Sequence, residues 1–212
     1  MRPGVQKEKK KRILVSPLNW GLGHATRCIP LIRHLLKSGH EVIIASDNEA
    51  LALLKQAFPH LESTSLPAYD IHYPPGGNML RHFITRSPKI LSRIHDEHRA
   101  LQEIIASQRI DAVISDNRFG LWSRRVPTAF ITHQLFIRSP LLQGMIRKIN
   151  QRYIHKFDHC WIPDLASGDT LSGELSRGGK CPKNVRYIGP LSRFNPGLRE
   201  SDRDTESYEV AA

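Results

Sequence analysis

The chain has 212 residues, 40% of them hydrophobic, and carries a net charge of +11. That length suits one α/β domain with a sizeable core and is short for two. No run of about 18 apolar residues occurs, which argues against a transmembrane helix. Cys28, Cys160 and Cys181 are too few and too scattered for a disulfide framework or a structural zinc site.

Residues 1–11 read as a disordered basic leader without the apolar stretch of a signal peptide. Ile13–Ser16 is a short apolar run of the kind found in buried parallel strands. After a turn, Cys28, Ile29, Ile32, Leu35 and Leu36 recur at helical spacing from Ala25 onward, and Gly39 supplies the C-terminal stop. Glu41–Ser46 is the second strand. Asp47 or Asn48 then caps a helix through Leu51, Leu54 and Phe58. Ser63–Leu66 is a third strand, followed by a Pro- and Gly-rich loop over 67–79. The next helical region is expected to break near Pro88, and its second part carries Ile90, Leu91, Ile94, His98, Leu101 and Ile104 on one stripe. Ala112–Ser115 and Thr128–Thr132 are buried strands, with His159–Ile162 and Arg186–Ile188 as further ones.

Strands alternating with helices predict a Rossmann-like, doubly wound parallel sheet. Ligands of such sheets bind outside the carboxyl ends of the strands. The residues expected there are Asn19, Trp20, Gly21, Gly23, His24 and Thr26 after the first strand, Asp47 after the second, Asp116, Asn117 and Arg118 after the fourth, and His133 and Gln134 after the fifth.

The turn Gly21-Leu22-Gly23-His24-Ala25-Thr26 supplies two of the three glycines of a dinucleotide fingerprint, with Asp47 near the place of a ribose-binding acid. Thr26 replaces the third glycine, and Pro17–Trp20 lengthens the turn, so an NAD- or FAD-binding oxidoreductase is the minor reading. No P-loop sequence occurs. A histidine at a helix start can be a neutral general base or a residue bonded to backbone, and local sequence leaves both open. Asp116 on local sequence alone is a turn residue capping a strand. His95 and His98 have the spacing of helical metal ligands, but His98 lies on the apolar stripe and no third ligand is evident, so no metal is expected.

Residues 138–157 hold five Lys/Arg, no acid and a broad apolar face. Such a segment fits an anionic membrane surface or a core-packed helix with a solvated basic side. No zinc-finger or RNP-type motif points to nucleic acid.

The stretch Ser16–Ser46, with its Gly-His turn and the Gly39-His40-Glu41-Val42 lead into the second strand, resembles the opening of GT-B glycosyltransferases. Similar members are glycosyltransferase family 28 and the N-acetylglucosaminyl transferase of peptidoglycan lipid synthesis. Ala112–Trp122 resembles their fourth-strand segment, and Val185–Phe194 the segment leaving the N-terminal domain. The resemblance spans roughly 12–194 and implies the acceptor-binding half of an inverting hexosyltransferase. It implies His24 as the base and Asp116 as its orienting acid. Asn19, Trp20, Gly21, Gly23, Thr26, Asn117, Arg118 and His133 then line the acceptor site. No cofactor is implied; the co-substrate is a nucleotide sugar, UDP-linked, and the acceptor a lipid-linked or glycan hydroxyl. A cytoplasmic protein, peripheral on the inner face of the membrane, is expected. Residues 195–212, with five acids and few apolar residues, read as a disordered tail where the donor domain would follow. A partner subunit carrying that domain, or a binding module without chemistry, are the corresponding expectations.

Overall fold

The structure, a computed structural model, describes residues 9–69, 79–133, 150–166 and 183–191, with 79–88 as backbone only. The strands β1 (Arg12–Pro17), β2 (Glu41–Ser46), β3 (Glu62–Ser65), β4 (Ala112–Asp116), β5 (Thr128–Ile131), β6 (His159–Ile162) and β7 (Val185–Tyr187) form one sheet in the order β3-β2-β1-β4-β5-β6-β7. Every pairing is parallel. The doubly wound α/β class read from the alternation is the one observed, and strands from Arg12 to Tyr187 all join it.

Side chains alternate across the sheet, and each face meets its own helices. Ile13, Val15, Val42, Ile44, Ile114 and Ile131 pack against Ala25, Cys28, Ile29 and Ile32 of α1 (Leu22–Lys37) and against Ala50 and Leu54 of α2 (Asn48–Ala57). On the opposite face Leu14, Ile43, Ala45 and Val113 meet Leu101, Ile104 and Ile105 of α3 (Met79–Gln108). Phe130 continues this second face toward Ile154, Phe157, Cys160 and Ile162. Burial of about a dozen aliphatic side chains per face, at roughly 1.5–3 kcal/mol each, is the main force holding the layers together.

Several expected boundaries differ, most by a single residue at a strand end. Helix α1 begins at Leu22 rather than Ala25, because Gly21 turns the chain at φ +80° and the helix follows immediately. His24 therefore stands inside the first turn. Helix α3 runs unbroken through Pro88, as α1 runs through Pro30. A proline removes one helical donor, and in both helices the neighbouring turns keep the backbone helical. The last strand sits one residue earlier than expected, at Val185–Tyr187.

The loop residues 70–78 and the segment 138–149 lie outside the described residues, as do Gln134, Cys181 and the termini 1–8 and 192–212. In the described part of the basic segment, Ile154 and Phe157 are buried in the core, while Arg152, His155 and Lys156 are exposed. Among the described residues no helix is long and apolar enough to cross a membrane.

Candidate functional site

The sheet order reverses between β1 and β4: the chain moves outward from β1 to β3, then returns to the other side of β1. A crevice opens at such a point beyond the strand carboxyl ends. The register pairs Pro17, the last residue of β1, with Asp116, the last of β4, and Asp116 with Ile131, the last of β5. Three neighbouring strands thus end level, and their next residues converge.

Asp116 is fully buried. Its Oδ1 lies 3.0 Å from Nδ1 of His24, so the first turn of α1 and the end of β4 are joined through their side chains. One helical turn beyond His24, Arg27 grips the same carboxylate with Nε on Oδ2 and Nη2 on Oδ1. Arg27 Nη2 is also 2.7 Å from His24 Nδ1, and Nη1 is 3.1 Å from Nδ1 of His133, two residues past β5. The Cys28 thiol approaches Asp116 Oδ2 at 3.9 Å from the core side. Burial works against the charge of Arg27, but the hydrogen bonds and charge of Asp116 outweigh it and raise its pKa. Burial lowers the pKa of His133 first, and the charges of Arg27 and His24 lower it further against the pull of Asp116. His133 is therefore kept neutral to lower pH than an ordinary histidine.

The other residues singled out in the sequence divide by position. Trp20 is 37% exposed and meets Tyr69 edge-on, with ring centroids 6.4 Å apart at 80°. Gly21 needs its positive φ. Gly23 has ordinary helical geometry, and an added Cβ would meet nothing within 4 Å, so the fold itself does not demand a glycine there. Thr26 returns its hydroxyl to Gly23 O at 3.1 Å. Asn117 takes φ +59°, which asparagine tolerates, and its N–H donates to Ile131 O at 3.1 Å. Asn19 accepts a hydrogen bond from Ala50 N at 3.1 Å, which ties the turn to α2.

Arg118 does not reach the crevice surface. Its side chain is fully buried, with Nε on Glu97, Nη1 on Asp47 and Nη2 donating to Pro67 O at 2.8 Å. Glu97 in turn accepts from Tyr69 OH and from Gly120 N–H, both at 2.7 Å. Beneath the crevice this network joins β2, α3 and the segment after β4. It also engages Asp47, the acid a dinucleotide site would have used. His98 donates Nδ1–H to Gly120 O at 3.0 Å and stacks on Trp122 with centroids 4.0 Å apart, the satisfied histidine its place on the apolar stripe suggested. Among the described residues no group of three His, Cys, Asp or Glu is placed to hold a metal ion.

Sequence reasoning passed over Arg27 and Glu97. Arg27 lies three residues from His24, next to buried Cys28, and that spacing on a helix start was the available signal. Glu97 sits between Ile94 and Leu101 on the apolar stripe, where a carboxylate implies a buried cation nearby.

No protein-family model matches the chain, and no curated protein matches it in sequence. Solved structures do. The calicheamicin glycosyltransferase CalG4 aligns with TM-score 0.56 at 13% identity, over 86% of this chain and 53% of that one. UGT89C1 of Arabidopsis thaliana aligns with TM-score 0.59 at 15% identity, over 92% and 53%. UGT2 of Phytolacca americana, solved with UDP-2fluoro-glucose and pterostilbene, aligns with TM-score 0.55 at 15% identity, over 87% and 55%. The chain spans about half the length of each of these structures. Its described sheet has the fold of the N-terminal half of the GT-B glycosyltransferases.

Proposed function

We infer that this domain holds the acceptor in a glycosyl-transfer reaction, at the carboxyl ends of β1, β4 and β5, with His24 as the base. The observation that carries the reading is the 3.0 Å contact between His24 Nδ1 and the buried Asp116 carboxylate at the switch point of the sheet. A sugar or phenolic hydroxyl attacks an anomeric carbon poorly while it keeps its proton. Nε2 of His24 accepts that proton as the new C–O bond forms and the nucleotide diphosphate leaves from the opposite side, inverting the centre. Asp116, on the far nitrogen, fixes the ring and offsets the imidazolium charge. Trp20 and Leu22, 37% and 45% exposed beside the turn, offer apolar surface to an acceptor ring. The solved relatives support the class of ligands, since UGT89C1 was crystallised with quercetin and with UDP-L-rhamnose.

We propose that a UDP-linked sugar donor is held by a second domain facing this one, a reading supported by neighbours about twice as long as the part this chain matches and solved with UDP-L-rhamnose or UDP-2fluoro-glucose. Effective transfer needs donor and acceptor held together in attack geometry. The test is to join the 212-residue chain to a GT-B donor domain and follow release of the nucleotide diphosphate with a panel of hydroxyl acceptors. Transfer by the joined protein, reduced about 10²–10⁴-fold in His24→Ala, supports the base assignment. Full activity in His24→Ala removes it. Acceptor binding without transfer in any pairing would favour a binding module instead.

A further inference from the structure

Three polar atoms meet at one point: His24 Nδ1, Asp116 Oδ1 and Arg27 Nη2. The first two are 3.0 Å apart and His24 Nδ1 to Nη2 is 2.7 Å. A guanidinium nitrogen only donates, so its contact with Nδ1 is a hydrogen bond only when Nδ1 carries no proton. An ionised carboxylate only accepts, so its contact with Nδ1 is a hydrogen bond only when Nδ1 is protonated. A neutral imidazole satisfies one of these partners at a time.

We propose that Arg27 is the positioning residue that sets the tautomer of His24, holding the resting ring with its proton on Nε2 and releasing it for base chemistry only when the guanidinium moves off. Arg27 satisfies both Asp116 oxygens by its fork, which leaves the carboxylate with little need of His24. The second hydrogen of Nη2 is then free to serve Nδ1 at the shorter distance. The same guanidinium places Nη1 3.1 Å from His133 Nδ1, which also makes that nitrogen an acceptor. One cation thus holds the imidazole of α1, the carboxylate of β4 and the imidazole beyond β5.

With the proton on Nε2, His24 cannot take one from an acceptor there. When Arg27 withdraws, Nε2 gives its proton to water, Nδ1 takes one from water and keeps it in a hydrogen bond to the Asp116 carboxylate, and Nε2 is left with a free lone pair. The ring's charge is unchanged. The groups facing it are Arg27 on its own helix, Asp116 on β4 and, beyond Arg27, His133; Cys28 touches Asp116 from the core. The catalytic consequence rests on His24 being the base, but the tautomer does not, so the two can fail separately.

The test is NMR of the imidazole nitrogens in the isotope-labelled full chain, without substrate, at a pH where both rings are neutral. The wild-type chain should show His24 and His133 as Nε2–H tautomers. Arg27→Gln, which keeps a donor for Asp116 and removes the cation, should convert His24 to Nδ1–H and move the His133 titration to higher pH. Arg27→Lys, which keeps the charge and loses the fork, should convert His24 while leaving the His133 midpoint close to wild type; it also serves if the Gln variant does not fold. Arg33→Gln on the exposed side of the same helix is the control and should change neither. A wild-type His24 already in the Nδ1–H form, or a tautomer indifferent to both Arg27 substitutions, overturns the proposal, whatever His24→Ala does to transfer.

Discussion

Asn19 Oδ1 accepts a hydrogen bond from the Ala50 N–H at 3.1 Å, and so caps a helix to which it does not belong. Ala50 is the third residue of α2, the amide that an N-cap side chain normally satisfies. The helix has a good N-cap residue of its own, Asp47, but Asp47 makes no side-chain cap bond because its carboxylate is paired with Arg118. The β1–α1 turn that carries His24 is thereby fastened to α2. Asn19→Ala should cost about 1 kcal/mol in urea unfolding. It should also loosen the turn, read as faster amide exchange at Gly21–His24. An unchanged unfolding midpoint would show that water replaces the cap.

The network below the turn should be far more costly to disturb. Arg118→Met leaves Glu97 and Asp47 buried without their cation, and should destabilise by roughly 3–5 kcal/mol. Adding Glu97→Gln keeps the contacts to Tyr69 and Gly120 while removing one orphaned charge, so the double variant should recover part of the loss. A double-mutant cycle on unfolding free energies measures this coupling. Simple additivity of the two losses would mean that the carboxylate is not held in place by Arg118.

Two glycines near the site should respond in opposite ways. A Cβ on Gly120 would lie 2.5 Å from Ile94 O and 2.6 Å from Glu97 Oε2, so Gly120→Ala must push α3 away and should cost about 3 kcal/mol. Gly23 has helical backbone geometry and open space, so Gly23→Ala should stabilise the helix by roughly 0.5–1 kcal/mol. If an acceptor approaches the main chain of this turn, the same methyl group should lower transfer by the joined protein. Stability rising while acceptor KM also rises is the signature to look for.

Much of this architecture was legible in the residues themselves. The strands were found because fully buried parallel strands read as short apolar runs, as Ile13–Ser16 and Ala112–Ser115 do. The pairing of His24 with Asp116 is implied only by the resemblance to GT-B glycosyltransferases, since on local sequence alone Asp116 reads as a turn residue; the parallel register of β1 and β4 brings the two side chains together. Arg118 was harder. Asp116-Asn117-Arg118 looks like a polar strand-end loop, yet the left-handed Asn117 turns the chain so that Arg118 goes into the core. Its carboxylate partners lie 21 and 71 residues away in the chain, beyond the reach of any local pattern. Arg27 escapes the sequence reading because a charged residue in the second turn of an amphipathic helix looks like solvated surface. Only the level ends of β1, β4 and β5 turn it inward onto a carboxylate.

The last prediction concerns pH. The His133 pKa in the folded chain lies below its ordinary value of 6.5, chiefly through burial and then through the charge of Arg27. In the unfolded chain the same imidazole titrates near that ordinary value. Between the two, the unfolded state binds more protons than the folded one, so stability rises with pH across that window. The contribution is fully present above about 6.5 and is lost as pH falls through the folded pKa. Urea unfolding midpoints should therefore drop between neutral and mildly acidic pH. Other groups also titrate there, so the wild type is compared with His133→Gln, whose amide cannot be protonated in this range. The variant should show a shallower fall, and the difference between the two curves isolates His133. In Arg27→Gln the folded pKa of His133 should move back toward the unfolded value, and that difference should shrink. A steeper acid loss in His133→Gln than in the wild type would mean that protonated His133 stabilises the fold, and that Asp116 outweighs burial and Arg27 at this position.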